Sequence, residues 1–405
     1  MRRAWTLVYA LLTTALLYGR FHNWAYDDVF ITYRFATNLA SGAGMVYQAG
    51  ERILSTTSLL WAALLAPLVA LGADVHTAAL LLGALSLACG GYCLWLLGQA
   101  ARQPWFAWTG LLLYPLHPLV TGTLGSETPL YLALGLGALV LWISRRFTLA
   151  AVCAGLAAVA RPEGLLFTGL LGLDALAQTW SARRRGQISP VSWRPAGVFL
   201  LTWLPWVTWA SLYYGSPLPV TLAAKQQQAQ LAVSASFWQG FWQTLYTLGQ
   251  AAYFRVELFL AVLGFIYLAW KLARAGRSPA DRRALAELRP VWLLLGWTVA
   301  YFAAYVALGV TRYFWYYAPL LPALLVGIGL GLAALESTAR VGLARQAGFK
   351  TYRFLPWLAS LVCLGLLFGE VQELAQPVED ARYAVYRQVG EWLAAHTDPA
   401  ERVGA

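Results

Sequence analysis

Charge is what this chain has least of. Of its 405 residues, 12% are charged and 60% are apolar, whereas a soluble domain carries roughly 25% charged residues. About half the polar surface that water would demand is absent, which excludes a cytosolic enzyme and a disordered chain. Cysteine is scarce too. Cys89, Cys93, Cys153 and Cys363 all fall inside apolar runs, so they build neither a disulfide scaffold nor a metal-ligand spacing. No repeat period and no low-complexity linker divides the sequence. Aromatics, in contrast, are abundant: 20 Trp and 21 Tyr suit a protein that places its rings at membrane–water interfaces. With a mean hydropathy of +0.57, the chain reads as an all-α polytopic membrane protein.

A helix needs about 20 apolar residues to cross the hydrocarbon core. Runs near 4–21, 77–98, 105–121, 129–143, 148–160, 164–178, 196–213, 253–271, 291–309, 318–335 and 354–371 predict eleven crossings. A further run, Leu59 to Leu71, is assigned to the outer face by charge. With Met1-Arg2-Arg3 inside and 59–71 not crossing, inner loops hold 19 of the 29 basic residues, among them Arg102, Arg277, Arg289, Lys350 and Arg353. A crossing at 59–71 would flip every later loop, against the positive-inside rule. Acids are distributed the other way. Asp281, Glu287 and Glu336 lie in inner loops, Asp174 near the inner end of a span, and the other 14 of 18 outside.

The basic balance is therefore a topology signal and not a nucleic-acid one. It predicts a multi-pass protein of a bacterial-type inner (plasma) membrane with a cytoplasmic N-terminus. Any chemistry, like the C-terminus, is then extracytoplasmic. No small-residue cleavage site precedes Arg20, so the first helix reads as uncleaved. The polar inner loop 272–290 suits a short surface helix.

Residues 22–76 form the longest outer segment. From Asp27-Asp28 onward the pattern is helical. Val29, Tyr33 and Ala36 share a face, and the acids sit where a helix dipole favours them. Ser41-Gly42-Ala43-Gly44 ends the helix. Asp27 and Asp28 read either as a cap with a solvated neighbour or as a reactive pair, since adjacent carboxylates disfavour each other's ionisation and leave one suited to act as a base.

The stretch Asp27-Asp28-Val29-Phe30-Ile31-Thr32-Tyr33-Arg34, continued by Asn38 to Tyr47, Gly50-Glu51-Arg52 and Thr57-Ser58-Leu59-Leu60-Trp61, resembles the opening of GT-C glycosyltransferases. The likeness is strongest to the bacterial group that includes the mycobacterial terminal arabinofuranosyltransferase, relatives of polyprenyl-phosphate-sugar transferases. Gly125-Ser126-Glu127-Thr128-Pro129, Ala160-Arg161-Pro162-Glu163-Gly164, Tyr213 to Pro219, and Arg312-Tyr313 with Pro319-Leu320-Leu321-Pro322 extend it in order to about residue 325.

The resemblance implies a GT-C-like membrane domain over 1–371, with 22–76 as its catalytic loop and 59–71 as a juxtamembrane helix. It also implies that Asp27 or Asp28 is the catalytic base. Relatives commonly continue into a soluble outer domain, and 372–405 corresponds to its start.

Other residues carry two readings each. Glu127 is a helix cap or a second acid that binds a sugar hydroxyl or, with Asp28, a divalent cation such as Mg or Mn. Arg161 and Glu163 form a local ion pair or turn the guanidinium to a donor phosphate. Lys225 is solvated or a phosphate partner. Arg312 snorkels beside aromatics or joins Arg161 and Lys225 on the phosphate. Arg34, Glu51 and Tyr214 complete the candidate substrate contacts. Arg255 and Glu257 read as a local pair, and His117, between Pro115 and Pro118, as a helix-kink residue without a metal role.

The function expected is inverting transfer of a sugar from a polyprenyl phosphate to a cell-envelope glycan, lipid or protein. A lipid-linked-sugar transporter or flippase would need ionisable residues in mid-membrane and commonly repeat symmetry; a non-catalytic assembly partner is the third reading.

Overall fold

The computed structural model describes residues 2–231, 234–274, 278–346, 355–376 and 381–397. Arg277, Lys350 and Arg353, and positions 398–405, lie outside the described residues. Helices stand at every predicted run. They are α1 (Arg2–Phe21), α2 (Asp27–Ala40), α3 (Leu59–Ala70), α4 (Val75–Ala100), α5 (Pro104–Leu112), α6 (Pro118–Thr121), α7 (Thr128–Ile143), α8 (Phe147–Ala160) and α9 (Gly164–Arg184). After these come α10 (Arg194–Tyr214), α11 (Thr221–Gln228), α12 (Phe237–Leu248), α13 (Ala252–Arg274), α14 (Pro279–Glu287) and α15 (Arg289–Leu308). Two 3₁₀ turns, Phe314–Tyr316 and Ala318–Leu320, lead into α16 (Leu321–Gln346), α17 (Leu355–Ala375) and α18 (Ala381–His396). The one β feature among the described residues is an isolated bridge between Ser236 and Thr311.

Six segments are long and apolar enough to cross a membrane: α4, α10, α13, α15, Phe314–Thr338 and Pro356–Ala375. The other predicted runs differ for local reasons. Helices α7 and α8 are apolar but shorter. Helices α1 and α9 carry Arg20, and Asp174 with Arg183 and Arg184. The run 105–121 is two helices, because Pro115 and Pro118 cannot donate to a continuous ladder. Helix α3, of 12 residues, spans about 18 Å at 1.5 Å per residue, short of a bilayer core of about 30 Å. It packs on α2, α4 and α8 through Leu60, Trp61, Leu65 and their neighbours.

The bundle separates into an apolar waist and two polar ends. In the waist Phe167 stacks on Trp297 with centroids 4.3 Å apart, filling the space that Gly135 leaves open. Helices α13 and α16 approach to backbone contact: a Cβ on Gly264 would stand 2.0 Å from Gly327 O, and one on Gly331 2.1 Å from Leu260 O. Helix α10 buries only Pro195 and Ala210 and exposes Leu200, Leu201, Leu204 and Leu212, a surface suited to lipid.

At one end Arg102 meets Glu287 at 2.7 Å, Arg289 pairs with Asp174, and Trp105 donates to Glu336 at 2.8 Å. All these lie in segments predicted to be inner or at the inner ends of predicted spans. Residues predicted to be outer (Asp28, Glu127, Arg161, Glu163, Lys225) gather at the other end. The polar loop 272–290 forms α14, capped by the Ser278 hydroxyl.

Candidate active site

At the outer-segment end a cavity of about 350 Å³ is lined by Asp28, Glu127, Arg161, Glu163, Lys225, Tyr313, Trp315 and Tyr316 among others. Each is brought there by a local device. Helix α2 begins at the acid pair, and its Val29, Tyr33 and Ala36 are buried, as the periodicity predicts. Asp27 is exposed and its Oδ1 accepts from Asp28 N at 3.0 Å. Asp28 turns instead to the cavity, with Oδ2 3.4 Å from Lys225 Nζ. The two adjacent carboxylates thus face different surroundings.

Gly125 bends the loop that carries Glu127 (φ +89), a conformation L side chains rarely adopt. Its carbonyl accepts from Tyr33 Oη and Trp61 Nε1, each at 3.1 Å, which fixes the loop to α2 and α3. Glu127 caps no backbone group of α7; it reaches Arg161 Nη1 at 2.7 Å, so the capping reading fails. Arg161, extended as a residue before proline must be (φ −150, ψ 138), swings back at the end of α8. A Cβ on Gly164 would meet Ala158 N at 2.2 Å, so only glycine permits that turn.

The local Arg161–Glu163 pair forms, at 3.0 Å, but it is part of a larger buried cluster. Tyr305 donates to Glu163 and lies 3.3 Å from Arg161 Nη2. Burial works against the Arg161 charge, but Glu163, Tyr305 and Glu127 outweigh it and hold the guanidinium well above its ordinary pKa. Burial likewise raises the Glu163 carboxyl, yet Arg161 and the Tyr305 hydrogen bond bring it below the usual carboxylate value.

Lys225, on α11, is held over three rings: Tyr313 at 4.7 Å, Trp315 at 5.3 Å and Tyr316 at 5.5 Å to the centroids. Val220 N bonds Leu54 O at 3.0 Å, tying α11 to the first outer segment. Tyr26 stacks on Trp315 at 5.0 Å; burial, with the Glu127 charge adding, pushes its hydroxyl well above the usual tyrosine value. The sequence singled out neither Tyr26 nor Tyr305, and Tyr313 only within the Arg312-Tyr313 match. No local signal distinguishes a belt tyrosine from one that turns inward.

Five other candidates are not among the cavity's lining residues: Asp27, Arg34, Glu51, Tyr214 and Arg312. Arg34 donates to Tyr47 O at 3.3 Å, Tyr214 to Met45 O, and exposed Arg312 to Gln243. These contacts shape the surrounding loops. Asp28 and Glu127, the candidate cation ligands, each already face a protein cation, Lys225 and Arg161 respectively. That donor set does not fit a bound Mg or Mn.

The expected Arg255–Glu257 pair is not what α13 forms: Arg255 is exposed, while Glu257 is buried with His117 Nε2 at 3.4 Å. His117, Glu257 and Glu370 meet there, with ligand atoms within 4.8 Å of one another.

No family model and no curated protein matches the chain. Solved structures do. One is the oligosaccharyltransferase AglB of Archaeoglobus fulgidus in complex with an inhibitory peptide and a dolichol-phosphate: TM-score 0.60, 13% identity, 98% of this chain and 59% of that one. Another is the Archaeoglobus fulgidus oligosaccharyltransferase in its apo form: TM-score 0.61, 13% identity, 98% of this chain and 58% of that one. The chain spans about three fifths of the length of these structures. At this identity the likeness shows fold alone: the chain is a multi-pass, all-α membrane protein that shares the fold of these oligosaccharyltransferase structures.

Proposed function

We propose that the chain is an integral-membrane inverting glycosyltransferase that takes a sugar from a polyprenyl-phosphate donor. The observation that carries this is the Asp28–Lys225 contact across an aromatic-lined cavity at one polar end of a membrane bundle. Asp28 is the base: it removes the proton from an acceptor hydroxyl, whose oxygen attacks the anomeric carbon from the face opposite the lipid phosphate. The sugar–phosphate bond breaks, and the phosphate leaves with the bonding pair beside the Lys225 ammonium. A single carboxylate in this role suits one displacement with inversion.

Arg161 keeps a different task from the phosphate contact first expected. With Glu127 and Glu163 on either side, its charge is already matched, and it sets the positions of both acids. Lys225 remains as the phosphate partner, which favours a lipid monophosphate. The aromatic wall of Tyr313, Trp315 and Tyr316 offers ring faces to a sugar. The dolichol-phosphate in the AglB complex supports a lipid-linked donor.

In this reading residues 1–371 are the membrane domain, 372–405 an outer segment, and the cavity faces the extracytoplasmic side of a bacterial-type plasma membrane, as the arginine distribution favours. The sequence resemblance favours the arabinofuranosyltransferase group; the acceptor is a glycan, lipid or protein.

The test is transfer by purified protein in lipid, supplied with a panel of polyprenyl-phosphate sugars and short glycan acceptors. Release of polyprenyl phosphate that Asp28→Asn removes is the expected result. A folded wild type with no turnover on any donor would shift the reading to transport or to a non-catalytic assembly role.

A further inference from the structure

Away from the cavity, three ionisable side chains with no part in the proposed transfer meet in complete burial. His117 precedes α6, Glu257 lies on α13 and Glu370 on α17, and each is 0% exposed. Their ligand atoms lie within 4.8 Å of one another. Neither oxygen of Glu257, neither oxygen of Glu370, nor His117 Nε2 has a hydrogen-bond partner.

Burying a carboxylate without a hydrogen bond or a counter-charge costs several kcal/mol. Two such groups side by side therefore demand a counter-charge, either a proton shared between them or a bound cation. The imidazole does not supply it. His117 Nδ1 accepts from Leu119 N at 3.1 Å, so the ring proton sits on Nε2, which faces Glu257 Oε2 at 3.4 Å. The ring offers Glu257 a donor and offers the cluster no lone pair.

From this we infer that Glu257 and Glu370 bind a divalent cation through their carboxylate oxygens, with His117 as a positioning residue that orients Glu257. All-oxygen donors select Mg²⁺, Mn²⁺ or Ca²⁺ over softer metals. The close approach of the two helices is built in: a Cβ on Gly369, next to Glu370, would meet Tyr253 Cβ at 2.5 Å. A groove of about 870 Å³ between α13 and α17, with Glu373, Gln372 and Gln376 on its wall, lies beside the site. Helix α6 packs on both 3₁₀ turns and on α17. The cation therefore clamps α6, α13 and α17 behind the aromatic wall, a structural role that stands whether or not the proposed transfer is correct.

The experiment uses the full chain in detergent or nanodiscs, stripped with EDTA and then titrated with Mg²⁺, Mn²⁺ or Ca²⁺, reading metal content by mass spectrometry and Tm. Expected are retention of about one equivalent of one of these ions and a rise in Tm that tracks its concentration, both in wild type and in Asp28→Asn. Glu257→Gln and Glu370→Gln should lose both effects, and His117→Asn should need 10–100-fold more ion for the same shift. Failure of transfer in the donor panel leaves these readouts untouched. A wild type that retains none of these ions and whose Tm is flat across the titration overturns the inference, and leaves the two carboxylates sharing a proton. Should the glutamine variants fail to fold, the wild-type titration decides alone.

Discussion

Asp27 and Asp28 are neighbours in sequence with different fates. One side chain closes back on the start of α2 and the other meets Lys225. Asp28→Asn should lower kcat by about 10²–10⁴, the range of a general base, with unchanged Tm. Asp27→Asn should stay within about tenfold, and a larger loss in Asp27→Asn than in Asp28→Asn would reverse the assignment. Lys225→Met keeps apolar contact with the rings while removing the ammonium. It should slow transfer by about 10–100-fold, a loss of transition-state charge stabilisation, read as kcat with saturating donor.

Glu163 carries a stability prediction with a definite sign. Its folded-state pKa lies below the ordinary carboxylate value. The stabilisation is therefore complete above the unfolded value of about 4.3 and is lost as pH falls through the folded one. Thermal unfolding of wild type should show an acid-side loss of Tm that is reduced in Glu163→Gln. Arg161→Met strands two buried carboxylates and should cost about 3–5 kcal/mol, so a folded, unaltered Arg161→Met protein would remove the cluster from the stability argument.

Elements are joined here by small residues as much as by large ones. Helices α13 and α16 touch through Gly264, Gly327 and Gly331, where an added methyl meets backbone and not a movable side chain. Gly264→Ala should therefore destabilise by about 1–3 kcal/mol, the cost of overpacking, visible as a lower Tm in detergent. Gly137 has open space around its Cβ position, and Gly137→Ala should be neutral or slightly stabilising. Equal behaviour of the two variants would show that the helices separate and repack. Helix α12 starts with a reciprocal capping box between Ser236 and Gln239 and exposes Trp238, Trp242 and Tyr246 at helical spacing, a ring face of the kind that suits a membrane–water interface.

Over the whole molecule, charge sidedness and fold agree. Arg102 with Glu287 and Arg289 with Asp174 lie together at one end, and the Asp28, Glu127, Arg161 and Lys225 group at the other. Segments far apart in the chain thus pair as an alternation of inner and outer loops requires. The assignment of 59–71 as a non-crossing helix rests on this alternation; by length α3 falls with α7 and α8 among the shorter apolar helices.

What the sequence determined by itself was everything that follows from local composition and period: the membrane class, the positions of the helices, the α2 face, the stop at Ser41–Gly44 and the α14 surface helix. These depend on residues within a few turns of one another. Tertiary structure decided which of two adjacent aspartates faces the cavity. It also decided that Glu127 reaches Arg161 instead of its own helix, that Tyr26 and Tyr305 turn inward, and that His117, Glu257 and Glu370 meet. Those outcomes depend on contacts between residues 34, 197 and 253 positions apart: Glu127 to Arg161, Asp28 to Lys225 and His117 to Glu370. Hydrophobic periodicity specifies which face of a helix is buried, but only the packing of several helices specifies what that face meets.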